Sequence, residues 1–109
     1  VIDLRSLIPW DREMVCESVS KTGRLVLVEE SPFSGGWGTE IASYVASECF
    51  DQLKAPVLRI TCPDIPVPYP PHLEKRFLPS VEYVREQVDV LVKTNKRDKP
   101  WWIKEGYLL

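Results

Sequence analysis

The feature that most constrains this chain is a continuous apolar run, Leu25-Val26-Leu27-Val28, feeding through a glycine-rich loop into an amphipathic helix. A strand apolar at every position is covered on both faces, as in parallel sheets flanked by helices. The loop is Ser31-Pro32-Phe33-Ser34-Gly35-Gly36-Trp37-Gly38. Ile41, Val45, Cys49 and Leu53 then recur every fourth residue with Tyr44 beside them, which predicts a helix over 39–53.

The same grammar extends to both sides. Val1-Ile2-Asp3-Leu4 reads as an opening strand, broken at Pro9-Trp10-Asp11. Asp11 is a candidate N-cap with Glu13 in the first turn, and Met14, Val15, Ser18 and Val19 share a helical face that Lys21-Thr22-Gly23 closes. Ala55-Pro56 ends the second helix, and Val57 to Thr61 makes a third strand. The proline-rich stretch from Pro63 to Pro71 can continue neither helix nor sheet. Ser80 caps a last helix whose apolar stripe is Val81, Val84, Val88 and Leu91.

Strands alternating with amphipathic helices predict an α/β sandwich with a mostly parallel sheet and right-handed crossovers. Three strands make a thin sheet, and the chain opens inside one of them. The expectation is a piece of a longer polypeptide, with one or more elements ahead of Val1. At 109 residues the chain makes one small domain. A net charge of -2 gives no whole-chain ground for nucleic-acid binding. No apolar run approaches the roughly 20 residues that span a bilayer. Three widely spaced cysteines, Cys16, Cys49 and Cys62, read as reduced, buried thiols of an intracellular compartment rather than a disulfide framework.

Chemistry is harder to find. Gly35-Gly36-Trp37-Gly38 lies between strand and helix, where many α/β proteins hold phosphate, but lacks the Lys-Ser/Thr pair and the dinucleotide spacing. Its other reading is a tight turn with close helix–sheet packing. His72 is the single histidine and would have to serve any nucleophile, Cys62 or a serine, from a proline-stiffened loop. No cysteine or histidine pair has metal-ligand spacing. Glu29-Glu30 ends a strand, where ligands bind in open sheets, yet adjacent strand residues face opposite ways. Capping of loop amides suits these carboxylates better. The residues therefore show no convincing catalytic constellation. Taken by themselves they leave open a stand-alone nucleotide-binding or protein-interaction module.

Several stretches in register resemble the C-terminal domain of transketolase-like enzymes, above all the β subunits of 2-oxoacid dehydrogenase E1 components. They are Val1-Ile2-Asp3-Leu4-Arg5 with Ile8-Pro9-Trp10-Asp11, Lys21-Thr22-Gly23-Arg24-Leu25, Glu30-Ser31-Pro32 with Gly35-Gly36 and Glu40-Ile41, Ala55-Pro56, Asp64-Ile65-Pro66-Val67-Pro68, Leu73-Glu74 and Phe77-Leu78-Pro79. Ile8-Pro9-Trp10-Asp11 and Glu48-Cys49-Phe50 are more similar to the branched-chain (2-oxoisovalerate) members than to the pyruvate members.

The resemblance implies a three-layer α/β/α domain with a mixed five-stranded sheet over residues 1–95, and a C-terminal extension over 96–109. It implies a parent heterotetramer of two α and two β subunits. That parent decarboxylates a 2-oxoacid on thiamine diphosphate with Mg and acylates a lipoyl domain of E2. The cofactor belongs to the parent and is not expected to bind this segment, which on this reading is inactive alone. Partners are the E1 α subunit, the second β subunit and the E2 acyltransferase binding domain, with no nucleic acid and no membrane span. The compartment depends on the source, mitochondrial matrix in a eukaryote and cytoplasm in a bacterium. Candidate contact residues are Lys54, Gly35, Gly36, Trp37, Trp101 and Trp102.

The chain also departs from the family pattern. Lys54 stands where members carry an acidic residue before Ala-Pro, and Cys62-Pro63 replaces a glycine-containing pair. The tail is basic from Lys93 to Lys99 and then aromatic; its tryptophans suit a membrane surface or a partner groove, and packing back on this subunit or its neighbour is the expectation.

Overall fold

The computed structural model describes residues 1–106. The first helix, α1 (Arg12–Thr22), starts where Asp11 accepts the Met14 amide at 2.9 Å and stops at Gly23, whose φ of 70° turns its N–H back to the Val19 carbonyl at 2.7 Å. Only glycine takes that left-handed corner without cost. Strand β1 (Val26–Pro32) follows, then α2 (Gly38–Glu48) and a 3-10 turn over Phe50–Gln52. Strand β2 (Leu58–Cys62) returns parallel to β1, with Val26 opposite Leu58 and Val28 opposite Ile60. The register shifts between Val28 and Pro32, so the end of β1 bulges. Helices α3 (Pro71–Phe77), α4 (Val81–Thr94) and α5 (Trp101–Lys104) complete the chain.

Alternation along β1 divides the interior into two cores. Leu25 and Leu27 pack with Val15 and Val19 of α1, Ile41 and Val45 of α2, and Cys49 just after it, on one face of the sheet. Val26 points the other way, to Leu58, Ile60 and Leu91, with Tyr83 and Val84 of α4 beside them. The layers are α/β/α, as the resemblance implies. Val45 and Leu91 are fully buried, one in each core, and truncating either would cost about 2–5 kcal/mol.

Several expectations need correction. Val1–Leu4 is not a strand: these residues lie outside the sheet, and Arg5 at φ 59° turns the chain away from extended geometry. The sheet among the described residues thus has two strands rather than three. The helix expected to reach Leu53 ends at Glu48, because Cys49 (φ -127°) leaves helical geometry before Leu53 becomes extended. Cys16 and Cys49, expected as reduced thiols, are joined in a disulfide with their Cα atoms 6.3 Å apart. Packing α1 and α2 on the same side of β1 brings the two within bonding reach. Cys62 alone is a free, buried thiol.

Two helices were not legible at all. Helix α3 begins inside the proline-rich stretch, with Pro71 at its first position, where a missing N–H costs nothing. Helix α5 is a single turn formed by the tail. The tail folds back: Trp102 is buried and meets the Phe33 ring at 6.3 Å, while Arg76 lies 5.0 Å from the Trp101 ring and pairs with Glu105. Tyr107, Leu108 and Leu109, the end of the expected extension, lie outside the described residues. No helix among the described residues is long and apolar enough to cross a membrane.

Candidate functional site

In an open α/β fold the ligand seat is the crevice at the carboxyl ends of the strands. Here that crevice is filled by the chain's own charges. Glu29, near the end of β1, accepts the Gly38 amide on Oε2 at 2.9 Å, at the first residue of α2. Its Oε1 takes a hydrogen bond from Arg59 Nη2 of β2 at 2.9 Å. Arg59 Nη1 donates to the Phe33 carbonyl at 3.0 Å, and the guanidinium stacks 5.1 Å from the Phe33 ring. The pair is largely enclosed, with side chains 11% and 17% exposed for Arg59 and Glu29. Burial alone would raise the Glu29 carboxyl, but the Gly38 amide, Arg59 and Ser31 outweigh it and hold the group below the ordinary carboxylate range.

The glycines are required by close approach. A Cβ on Gly38 would stand 2.6 Å from Glu29 Oε1, and one on Gly36 would stand 2.6 Å from the Pro32 carbonyl oxygen. Asp64 closes the far side, taking the Ser34 amide at 2.8 Å and the Ser34 hydroxyl at 2.6 Å. Those two bonds hold the Asp64 carboxyl below its usual range. Of the two readings of the glycine loop, the geometry favours the tight turn. A carboxylate already sits on the α2 N-terminus, where a phosphate would have to bind and would be repelled.

The other candidate residues are scattered around this frame. Gly35 is exposed at the loop tip with φ 74°, and Gly36 is buried beneath it. Trp37 is half-buried, edge-on to Trp10 at 6.1 Å, in an aromatic group completed by Tyr44 and by Arg12 at 4.8 Å from the Tyr44 ring. Trp101 and Trp102 meet at 6.0 Å, with Trp102 turned toward the loop through Phe33. Lys54 is not among them. It lies at the amino ends of the strands, exposed, its backbone N–H donating to the Gly23 carbonyl at 2.8 Å and its side chain lying across Gly23.

Candidate chemistry does not assemble. His72 is exposed on α3, and Cys62 is buried at the end of β2 with its thiol pushed up by desolvation and by Glu30. A thiol raised in this way is a poor nucleophile. Glu29 points inward while Glu30 is exposed, as strand alternation demands. Among the described residues no group of three or more His, Cys, Asp or Glu could hold a metal ion.

The residue that sequence reading passed over is Arg59. Its signal was present: a cation interrupting Val57-Leu58-Arg59-Ile60 in a strand otherwise apolar calls for a buried acid on the neighbouring strand.

Comparison with known proteins places the chain in a family. The profile of the family described as "Transketolase, C-terminal domain" matches residues 1–84. The pyruvate dehydrogenase E1 component subunit beta of Rhizobium meliloti is 50% identical over 88 residues, covering 81% of this chain and 19% of that one. The mitochondrial 2-oxoisovalerate dehydrogenase subunit beta 2 of Arabidopsis thaliana is 52% identical over 68 residues, 62% of this chain and 19% of that one. The mitochondrial pyruvate dehydrogenase E1 component subunit beta of Caenorhabditis elegans is 51% identical over 90 residues, 81% of this chain and 25% of that one. The chain spans about a fifth to a quarter of the length of these relatives. An α/β/α fold, a glycine loop built for packing and a family match over most of its length make this chain a member of the transketolase C-terminal domain family.

Proposed function

We propose that this chain is the C-terminal assembly domain of the β subunit of a thiamine-diphosphate-dependent 2-oxoacid dehydrogenase. In that role it joins an E1 α subunit and a second β subunit and offers a docking face to E2. Residues 1–95 form the family domain on this reading, and residues 96–109 are an extension laid over it. Branched-chain 2-oxoacids are the favoured substrate class of the parent, with pyruvate next. Its compartment is the mitochondrial matrix in a eukaryote and the cytoplasm in a bacterium.

The observation that carries this reading is the filled crevice. Glu29 and Arg59 pair where a ligand would lie, leaving only Arg59 Nε without a hydrogen-bond partner, so these side chains serve the fold's internal structure at its usual ligand seat. The described residues do not fit thiamine diphosphate or its Mg. The diphosphate would meet the Glu29 carboxylate on the α2 N-terminus, and no acidic or histidine cluster is placed for the metal. A domain whose crevice charges are engaged internally contributes surface rather than chemistry. The half-buried Trp37 and the exposed Leu7 and Ile8 beside it are suited to a subunit contact.

The test is co-expression of the full-length polypeptide with its α subunit, with and without residues 1–109, read by light scattering after gel filtration. Loss of the tetramer on deletion is expected. A tetramer that forms equally well without these residues would sink the reading.

A further inference from the structure

The Cys16–Cys49 disulfide crosses the seam between the middle of α1 and the Phe50–Gln52 turn that follows α2. Behind it Val15 and Val19 of α1 already meet Ile41 and Val45 of α2, all four buried. Beyond that core the seam is held lightly. Ser20, one helical turn after Cys16, donates its hydroxyl to Gln52 Oε1, and the Lys54 amide donates to the Gly23 carbonyl at 2.8 Å. Phe50, next to Cys49, is 69% exposed and belongs to neither core.

The two sulfurs differ in access. Cys49 is 3% exposed, whereas Cys16 is half-buried and its neighbours in the seam, Ser20 and Gln52, are exposed. A thiolate arriving from solvent therefore reaches the Cys16 sulfur first. The third cysteine, Cys62, is a buried thiol whose ionisation is pushed up by desolvation and by Glu30, so it exchanges slowly and does not compete. Both compartments proposed above keep their thiols reduced, and a disulfide in such surroundings is usually transient or redox-sensing.

We propose that Cys16 and Cys49 form a reversible redox pair that exchanges with glutathione, fastening the Phe50–Gln52 turn to α1 when oxidised and releasing it when reduced. The proposal rests on the compartment part of the reading above. Reduction begins when a glutathione thiolate attacks the Cys16 sulfur. A mixed disulfide forms there, and Cys49 departs as a thiolate and takes up a proton. A second glutathione thiolate attacks the glutathione sulfur of that adduct, Cys16 leaves and is protonated in turn, and glutathione disulfide is the product. Two electrons pass from the glutathione pair to the cysteine pair, and glutathione disulfide drives the same steps backward. The apolar core behind the pair does not depend on the bond, so the domain stays folded in both states and only the turn is set free.

The experiment equilibrates the full-length polypeptide in its assembly with glutathione buffers running from reduced to oxidised. Free thiols are trapped by alkylation, and the peptides carrying Cys16, Cys49 and Cys62 are quantified by mass spectrometry. Cys16 and Cys49 should lose their label together, at one midpoint, as the buffer becomes oxidising, while Cys62 keeps its label. Cys49→Ser should strand the exchange halfway, with a glutathione adduct accumulating on Cys16, and Cys16→Ser should leave Cys49 an unmodified thiol. Chymotrypsin should cut after Phe50 about tenfold faster in the reduced assembly than in the oxidised one.

A pair that stays bonded in reduced glutathione alone, or stays reduced throughout, would overturn the proposal. Separate midpoints with an adduct on each sulfur would overturn it too, since they describe two unrelated thiols. Equal cleavage in both states would overturn the release of the turn. None of these outcomes alters the tetramer test, so the redox pair and the assembly role fail separately.

Discussion

The two ends of the sheet treat charge in opposite ways. At the carboxyl ends of the strands Glu29, Arg59 and Asp64 are matched to partners inside the chain, under Phe33 and Trp102. At the amino ends Arg24 is tied to Asn95, and Lys54, Lys96 and Arg97 are exposed, with no carboxylate paired to any of the four among the described residues. Enclosed charges must be paired or they destabilise the fold, whereas solvent-exposed ones cost little and remain available to a partner. The first end is therefore expected to carry stability and the second to carry recognition, and substitutions should separate the two.

The largest effect is expected from Trp102→Ala. Trp102 is 4% exposed and lies against Phe33, so its removal opens a large hole at the carboxyl end. A loss of about 3–5 kcal/mol is expected, measured by urea unfolding at neutral pH. A change below about 1 kcal/mol would show that the tail does not seal this end.

Glu29→Ala comes next. It leaves Arg59 enclosed without its acid and the Gly38 amide without its acceptor. Breaking one side of a buried pair costs about 3 kcal/mol, and the cost would be far smaller if water reached the stranded guanidinium. Replacing both residues together by apolar side chains of similar volume should recover most of the loss. Failure to recover would mean that the pair does more than satisfy itself.

Much of this contrast was legible before the structure. Cap and stop residues were the clearest: Asp11, Gly23 and Ser80 bound α1 and α4 where their chemistry says they should. Local hydrogen bonding decides such positions, and neighbours in sequence are enough to read them. The opening strand failed because pairing is a long-range property; Val1–Leu4 has a strand's pattern without a strand's geometry. The disulfide failed for the same reason, since a separation of 33 residues says nothing about a distance of 6.3 Å. Helix α3 was hidden because proline is a breaker inside a helix and a good first residue, and the sequence does not say which.

The site shows the same division. Strand alternation separated Glu29 from Glu30, and of the two readings left open for the short glycine cluster the geometry favours packing. The basic end was invisible, because Arg24, Lys54 and Asn95 meet only through the parallel crossover and the return of α4. Lys54 drew attention in the sequence for its sign alone. Its neighbours give the sign a meaning.

Acid should weaken chiefly the carboxyl end, because Glu17, held low by Lys21 at the amino end, is fully exposed and its pairing is screened by solvent. Glu29 titrates below its ordinary range in the folded chain, so the stability it contributes is full above the unfolded carboxylate pKa and is lost as pH falls through the lower, folded value. Wild type should therefore lose stability below about pH 4.5, the ordinary value, more steeply than Glu29→Gln, whose side chain cannot titrate. Parallel curves for the two proteins would show that the carboxylate is not held by Arg59 and Gly38 as described.

The smallest effect is expected at the amino ends, and its smallness is informative. Lys54→Ala removes an exposed cation with no partner carboxylate, so global stability should change by less than about 0.5 kcal/mol. Its side chain does cover Gly23, whose left-handed turn ends α1, and this supplies the only structural reason for a loss. Lys54→Met keeps that cover and drops the charge. If alanine destabilises and methionine does not, the residue serves as a lid on the turn and its charge is free for a partner. If both leave unfolding unchanged, the division of labour between the two ends holds. If both destabilise alike, the charge itself supports the fold, and the amino ends cannot be read as a surface kept apart from stability.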